Sequence, residues 1–573
     1  MINQLNSTHI EFDRDDDPNI ITHRHYVKSR TYPNHNKHLN ATPAKTTHIT
    51  YNRKKTVPPG SLRSGLLSLS LGPRFQRPID KGILPDTLTR LSLDDYKQPL
   101  TPGALPSSIR VVNFGEEYNQ AIEPGVFDPD SPPEVIQFGM MFNQPLFTEP
   151  LGTPVLPTGV IKLTFGYTFD QPLLSGTLPD TLAFLKLGDE FDRALRPGDL
   201  PQSLRFLMFG RCFNQHIGPN ILPSNLLTLH MGQRFGKPVL PGYLPSTLKE
   251  FKNYAYFWDD EEDGHVDVPP LVPGCLPEGL ASLMVKTHQP LQLGLLPNSM
   301  SIVQLIGNFN SKIEIGMLPL SLTTLSLGDE FRQPLEPGTL PPNLSYLSIG
   351  RGFSEPLRAG VLPANLYCLT VHLSLEHVVE PYALPDNLRV FINDGMGMPP
   401  VLPDSLSIMY ISNVKTIIPP FVKSLVINSN SLEIPTIPPS VESVYFISRQ
   451  GPGVLSMTFL PQSVTSLGFQ EFTDQYRYIP SRITKLSIPL HKSFSFKLLP
   501  KGLRHLILKT TQGVYDIFFF ETLEQMQEQK KLKKRSNKNK AINNSILLLH
   551  NDRLEGGFTN VKVLKKHLQS IVI

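Results

Sequence analysis

Cysteine is scarce in this chain of 573 residues. Cys212, Cys275 and Cys368 are odd in number, far apart and never in a CxxC pair. That pattern excludes a disulfide framework and a zinc cluster and places the protein in a reducing compartment. Long apolar runs are missing too, and the opening residues Met1–Asn19 hold no apolar signal core. A soluble, intracellular, cytoplasmic protein with no membrane partner is therefore expected. Charge of one sign is not in excess: 54 Lys and Arg against 50 Asp and Glu leave a net charge of +4. Nothing global draws such a chain to nucleic acid or to an anionic membrane.

Catalytic signatures are absent as well. There is no phosphate-cradling Gly loop, no GxSxG, no HExxH and no kinase set. His216, His230 and His288 stand at repeat positions with no carboxylate or nucleophile matched to them in the sequence. A polysaccharide-cleaving solenoid would need paired acids on a strand face, and Glu250 stands isolated. The expectation is a protein that is not an enzyme, with no cofactor, no metal and no small-molecule substrate.

What the chain does have is proline and glycine, 56 and 39 residues respectively, in a sequence still 40% hydrophobic. That much proline rules out long helices, because proline lacks the amide donor and clashes with the preceding turn. The apolar residues are nevertheless placed too regularly for disorder. From Thr158 to Pro245 four copies of one 22-residue unit follow each other: TGVIKLTFGYTFDQPLLSGTLP, DTLAFLKLGDEFDRALRPGDLP, QSLRFLMFGRCFNQHIGPNILP and SNLLTLHMGQRFGKPVLPGYLP. A fixed period of this size is the signature of a solenoid, a fold that escapes the usual size limit of a single core by growing in one dimension.

The unit reads P-x-S-L-x-x-L-x-F-G-x-x-F-x-Q-P-L-x-x-G-x-L. Its alternating pair, Leu185 and Leu187 for example, predicts one short strand with a buried face. A strand recurring with no helix-length segment between copies must stack in parallel on its neighbours. Glycine after the strand (Gly166, Gly188, Gly210, Gly232, Gly328 and Gly350) is expected to supply a turn at positive φ. The next Phe, such as Phe169 or Phe191, is expected to fold back into the core. The Gln-Pro-Leu piece and the closing Leu-Pro form an extended return. About twenty such units predict a mainly β, leucine-rich-repeat-like parallel β-solenoid with a sheet on the order of 95 Å long.

The most template-like stretches, Phe142-Asn143-Gln144-Pro145-Leu146, Phe169-Asp170-Gln171-Pro172-Leu173 and Phe331-Arg332-Gln333-Pro334-Leu335, resemble FNIP-repeat proteins. The resemblance runs closely over about Ser61–Pro385 and more weakly to Leu508. It implies a leucine-rich-repeat-like solenoid of a family found in amoeboid protists and their large DNA viruses. Some viral members carry an N-terminal F-box, which implies a substrate-recognition adaptor for a ubiquitin ligase. Residues 1–56 show neither the Leu-Pro start nor the helical apolar run of that module.

Three regions are expected: a flexible polar arm over 1–56, the solenoid over 57–508, and a C-terminal cap with a short helix and a basic tail over 509–573. Within the solenoid lie an acidic insertion at 254–275, with Asp259–Asp263 and Trp258, and shorter degenerate units over 386–508. His23 and His25 read as solvated tail residues. The basic run over 530–540 reads as a solvated helix end or, alternatively, as a nuclear-import or nucleic-acid contact of a nuclear adaptor, although no aromatics interleave with it. Binding is expected on the outward positions of the strands, which include Arg90, Lys162, Thr228, Glu250, Lys252, Ile408, Tyr410 and Tyr445. The residues singled out are Phe184, Lys186, Phe206, Met208, His230 and Tyr346, with Phe184, Phe206 and Met208 side by side. Exposed apolar clusters mark interaction sites more often than scattered residues do, so the partner class expected is protein, not nucleic acid.

Overall fold

The computed structural model describes residues 48–52, 54–148, 153–253, 271–371, 379–393, 395, 401–412, 416–428, 435–447, 459–470, 479–489, 499–510, 513–519, 546–550 and 555–559. These form one 25-stranded sheet and a two-stranded hairpin, Phe147–Thr148 with Thr153–Pro154, in the lengthened return of one unit. The period becomes register. Leu185 pairs with Leu207, Leu207 with Leu229 and Leu229 with Phe251 on adjacent parallel strands, so every coil places its leucines over those of the last.

Parallel pairing holds from His48–Tyr51 through His505–Thr510; the strands Gly513–Phe519, Ile546–His550 and Glu555–Thr559 then close the sheet antiparallel. Within the stretch expected as a flexible arm lies the first described strand, His48–Tyr51. This strand pairs in parallel with Ser68–Leu71, and its buried Tyr51 sets its ring edge-on to Phe75 at 5.8 Å. The short helix expected after about Phe519 lies outside the described residues, as do His23, His25, Trp258, Asp259–Asp263 and the basic run.

Four ladders tie coil to coil. The Phe column runs through the core as a stack: Phe142, Phe169, Phe191, Phe213 and Phe235 are fully buried or nearly so. Their ring centroids lie 6.3, 6.3, 6.1 and 6.2 Å apart. The Asn or Asp after that Phe accepts a hydrogen bond from the backbone of the next coil, as Asp170 N–H donates to Asn143 Oδ1 at 3.0 Å and Asp192 N–H to Asp170 Oδ1 at 3.0 Å. Gln171 Nε2 donates to the same Asn143 oxygen at 2.9 Å, which accounts for the Asn-Gln pair of the motif. The Ser or Thr after Leu-Pro donates to a carbonyl one coil back: Thr181 to Val160, Ser203 to Leu182 and Thr247 to Leu226. Buried polar groups must find partners, and here the neighbouring coil supplies them.

The fourth ladder corrects an expectation. None of Gly166, Gly188, Gly210, Gly232, Gly328 and Gly350 is at positive φ. A Cβ at Gly210 would lie 1.8 Å from the carbonyl oxygen of Gly188, and one at Gly232 2.1 Å from that of Gly210. These glycines let successive backbones touch. Most positive-φ glycines stand instead at the residue before x-Leu-Pro, although Gly307, directly after its strand, is at φ 75°. In Arg196-Pro197-Gly198-Asp199, Gly198 has φ 94° and Asp199 N–H donates to Arg196 O at 3.1 Å. Pro then Gly at the two central positions suits a type II turn. Asn220 and Tyr382 occupy the same turn place at φ 63° and 66°.

Candidate sheet-face binding site

Outward side chains sit at the first and third positions of each strand. On the strands Lys162–Thr164, Phe184–Lys186, Phe206–Met208, Thr228–Met231 and Glu250–Asn253 they form a connected chain of contacts. The Lys162 ammonium lies over the Phe184 ring, 4.4 Å from its centroid. Phe184 stacks on Phe206 with centroids 4.3 Å apart and planes 5° from parallel. Strict register places these two Cα atoms opposite each other, and the strand spacing of about 4.8 Å brings the rings face to face. Phe206 meets the His230 ring edge-on at 5.1 Å. His230 Nε2 then lies 3.6 Å from Glu250 Oε1, and Lys252 Nζ 2.6 Å from the same oxygen.

His230 and Lys252 together hold the Glu250 carboxyl well below its ordinary value of 4.5, at about 2, against the opposing effect of its partial burial. Glu250 is thus neither isolated nor free, and His230 does have a carboxylate beside it. The pair escapes a repeat-by-repeat reading because the residues are diagonal neighbours on adjacent strands, at non-equivalent positions of their units.

Of the residues singled out from sequence, Phe184, Lys186, Phe206, Met208 and His230 share this one patch. Phe184, Lys186, Phe206 and Met208 are half-buried, as a face residue would be. His230 is not exposed as expected but 8% accessible, enclosed by the Phe206 ring and Glu250. Tyr346 is exposed but lies six strands beyond Phe206, about 29 Å away, where it tilts onto Tyr367 at 5.9 Å.

Further along, other expected outward residues are buried. Ile408 packs beside Val390 and Cys368, three apolar side chains on successive strands that cover one another, and Tyr410 is also enclosed. Tyr445 lays its ring across Gly468, where a Cβ would meet Tyr445 Cδ2 at 2.1 Å. Lys509 reaches over from a strand three places on to donate to Tyr445 Oη at 2.7 Å. Burial pushes the Tyr445 hydroxyl up to about 12 and the Lys509 ammonium down.

Cys212, Cys275 and Cys368 are free thiols, with burial raising all three. Among the described residues no group of three His, Cys, Asp or Glu side chains gathers as metal ligands do, and no helix is long and apolar enough to cross a membrane.

Comparison with solved structures finds a crystal structure of CroV588, described as a novel circular LRR protein. It is 26% identical, with 80% of this chain and 74% of that chain covered and a TM-score of 0.57. YopM from Yersinia enterocolitica WA-314 is 19% identical over 79% of this chain and 92% of its own, with a TM-score of 0.33. No match is found among curated proteins. The FNIP Repeat model matches residues 51–96, 96–139, 142–190, 169–212, 213–252, 288–330 and 331–374. These stretches carry the Phe stack, the Asn-Gln ladder and the contact glycines, and together they span half of the sequence: the chain belongs to the FNIP-repeat family.

Proposed function

We propose that the protein is a non-enzymatic scaffold that binds protein partners through the outward face of its strand sheet, centred on Phe184 and Phe206. The observation that carries this is the stacked ring pair itself. Two large aromatic side chains stand on the outward face of a rigid sheet, capped by a lysine and flanked by Met208 and Lys186. Binding energy concentrates in such aromatic anchors, and a preorganised platform loses little entropy when a partner seats. The leucine-rich-repeat-like architecture supports the same reading, since repeat solenoids offer extended surfaces for other proteins. A reducing compartment, the cytoplasm, suits the free thiols of Cys275 and Cys368.

The test is affinity purification from native cytosol with the full chain, comparing wild type with a Phe184→Ser plus Phe206→Ser variant whose circular dichroism matches. Loss of a defined set of proteins on the variant is the expected result. Identical sets on both would remove the sheet face as the binding surface. Ubiquitin-ligase components in the lost set would identify the scaffold as a substrate adaptor.

A further inference from the structure

The stacked pair also constrains what kind of partner it receives. Both faces of the Phe184 ring are occupied, one by Lys162 at 4.4 Å and the other by Phe206 at 4.3 Å. Phe206 has Phe184 stacked on one face and meets the His230 ring at 5.1 Å with the two planes 67° apart. What remains toward the outside is ring edge. The edge of an aromatic ring is the positive part of its quadrupole, and the face is the negative part. A partner therefore meets two electropositive rims rather than a free stacking surface. Nucleobases bind aromatics by lying on their faces, and here both faces of Phe184 and one face of Phe206 are already covered.

The charges around the rims point the same way. Over these five strands the outward positions carry Lys162, Lys186 and Lys252 against one acid, Glu250, which His230 and Lys252 engage. Just before the strands Arg205 and Lys249 add two more cations. Beyond the strand ends Asp189 and Glu190 are balanced by Arg211 and Arg234. Upstream the neighbouring outward positions, Val135 and Gln137, are uncharged, and downstream the next strand, Ser282–Lys286, adds one more lysine, Lys286. The positive character thus begins at the aromatic patch and runs downstream to Lys286.

Resting on the sheet-face reading above, we propose that this patch recognises an acidic protein segment that lies across the strands. Its carboxylates would meet Lys162 and Lys186 at one end and Lys252 at the other, with side chains between them against the Phe184 and Phe206 rims. Lys162 and Lys252 are four strands apart, about 19 Å, which an extended segment spans in about six residues. The motif sought therefore has acidic residues about six positions apart, since strand rise is about 3.3 Å per residue.

The experiment selects a random dodecapeptide display library against the full-length protein and then rescreens the enriched pool on two variants, Lys162→Glu plus Lys186→Glu and Phe184→Ser plus Phe206→Ser. The expected outcome is a pool rich in Asp and Glu, weakened at least tenfold on the charge-reversed variant and weakened by added salt. A neutral or basic pool, or no enrichment, overturns the inference. So does a labelled ten-nucleotide single strand that binds more tightly than the best peptide. A neutral pool lost on the Phe variant would leave the sheet face as a protein-binding surface and remove only its acidic preference. A pool indifferent to both variants would remove both.

Discussion

Replacing Gly210 by alanine tests whether coil contact, rather than turn geometry, fixes the glycine column after the strands. An added Cβ would sit 1.8 Å from Gly188 O, 2.4 Å from Gly188 C and 2.5 Å from Asp189 Cα. All three are backbone atoms, so no side chain can swing away. Restoring an ordinary separation of about 3.5 Å means opening the two coils by more than about 1.5 Å locally. The hydrogen bonds that span this contact, Leu187 N–H to Met208 O at 2.9 Å and Cys212 N–H to Asp189 O at 2.7 Å, do not survive such a gap intact. Losing one such bond costs about 1 kcal/mol, leaving a buried partner unsatisfied adds about 1–3 kcal/mol, and the Phe stack next to it loosens. The total is about 3–5 kcal/mol.

The matched control is Gly176→Ala. Gly176 has φ 82° with open space around the missing Cβ. A left-handed alanine costs about 1–2 kcal/mol, and the stiffer unfolded chain returns about 0.4–1 kcal/mol of that. The net effect, about 0–1.6 kcal/mol, is therefore expected to be about half or less of that at Gly210. A solenoid's coils can open separately, so a single unfolding midpoint averages over them. Native-state hydrogen exchange at the Leu187 and Cys212 amides reads the contact in question. Faster exchange there in Gly210→Ala, with near-wild-type exchange in Gly176→Ala, is expected. Equal protection at these amides in Gly210→Ala would refute the contact argument.

Phe191→Ala removes a fully buried ring that stacks on Phe169 at 6.3 Å and Phe213 at 6.1 Å; native-state hydrogen exchange in that coil should show a local loss of about 3–5 kcal/mol, and Phe191→Leu a smaller one. Asn143→Ala takes away the acceptor shared by Asp170 N–H and Gln171 Nε2 and should cost about 1 kcal/mol, whereas Asn143→Asp should be nearly silent because Asp170 plays the same part for Asp192. Glu250 titrates lower in the fold than in the unfolded chain, so its contribution is present above pH 4.5 and lost as pH falls toward about 2. Glu250→Gln should flatten stability over that window at low salt, and added salt should shrink the difference between the two proteins.

The period made the architecture legible. Once units repeat every 22 residues, equivalent leucines must pair, and Leu185, Leu207 and Leu229 do. The same period made the Phe184–Phe206 neighbourhood foreseeable. The purpose of each glycine was not foreseeable in that way. A turn at positive φ and a backbone passing within contact distance both demand the missing side chain, and a local window shows only the first. The contact partner of Gly210 is Gly188, a whole coil away. The turn column also tolerates Asn220 and Tyr382. His230 and Glu250 were obscured for a related reason: they meet diagonally, third position of one strand to first position of the next, while alignment of repeats compares only like with like.

These ladders also locate function along the solenoid. In the regular coils the core positions are committed to neighbours: Phe to Phe, Asn or Asp to the next backbone, Ser or Thr to the preceding carbonyl. A partner can therefore be distinguished only by the outward strand positions, which the ladders leave open to change. Face-to-face stacking at 4.3 Å between Phe184 and Phe206 needs adjacent strands in strict register, which an insertion between them would disturb. The patch lies within the unbroken run of 22-residue coils, bounded by the lengthened return with the Phe147–Pro154 hairpin on one side and by the 254–275 insertion on the other. Regularity in the core is what gives a distinctive face a rigid place to stand, and rigid elements hold a binding constellation more accurately than loops do.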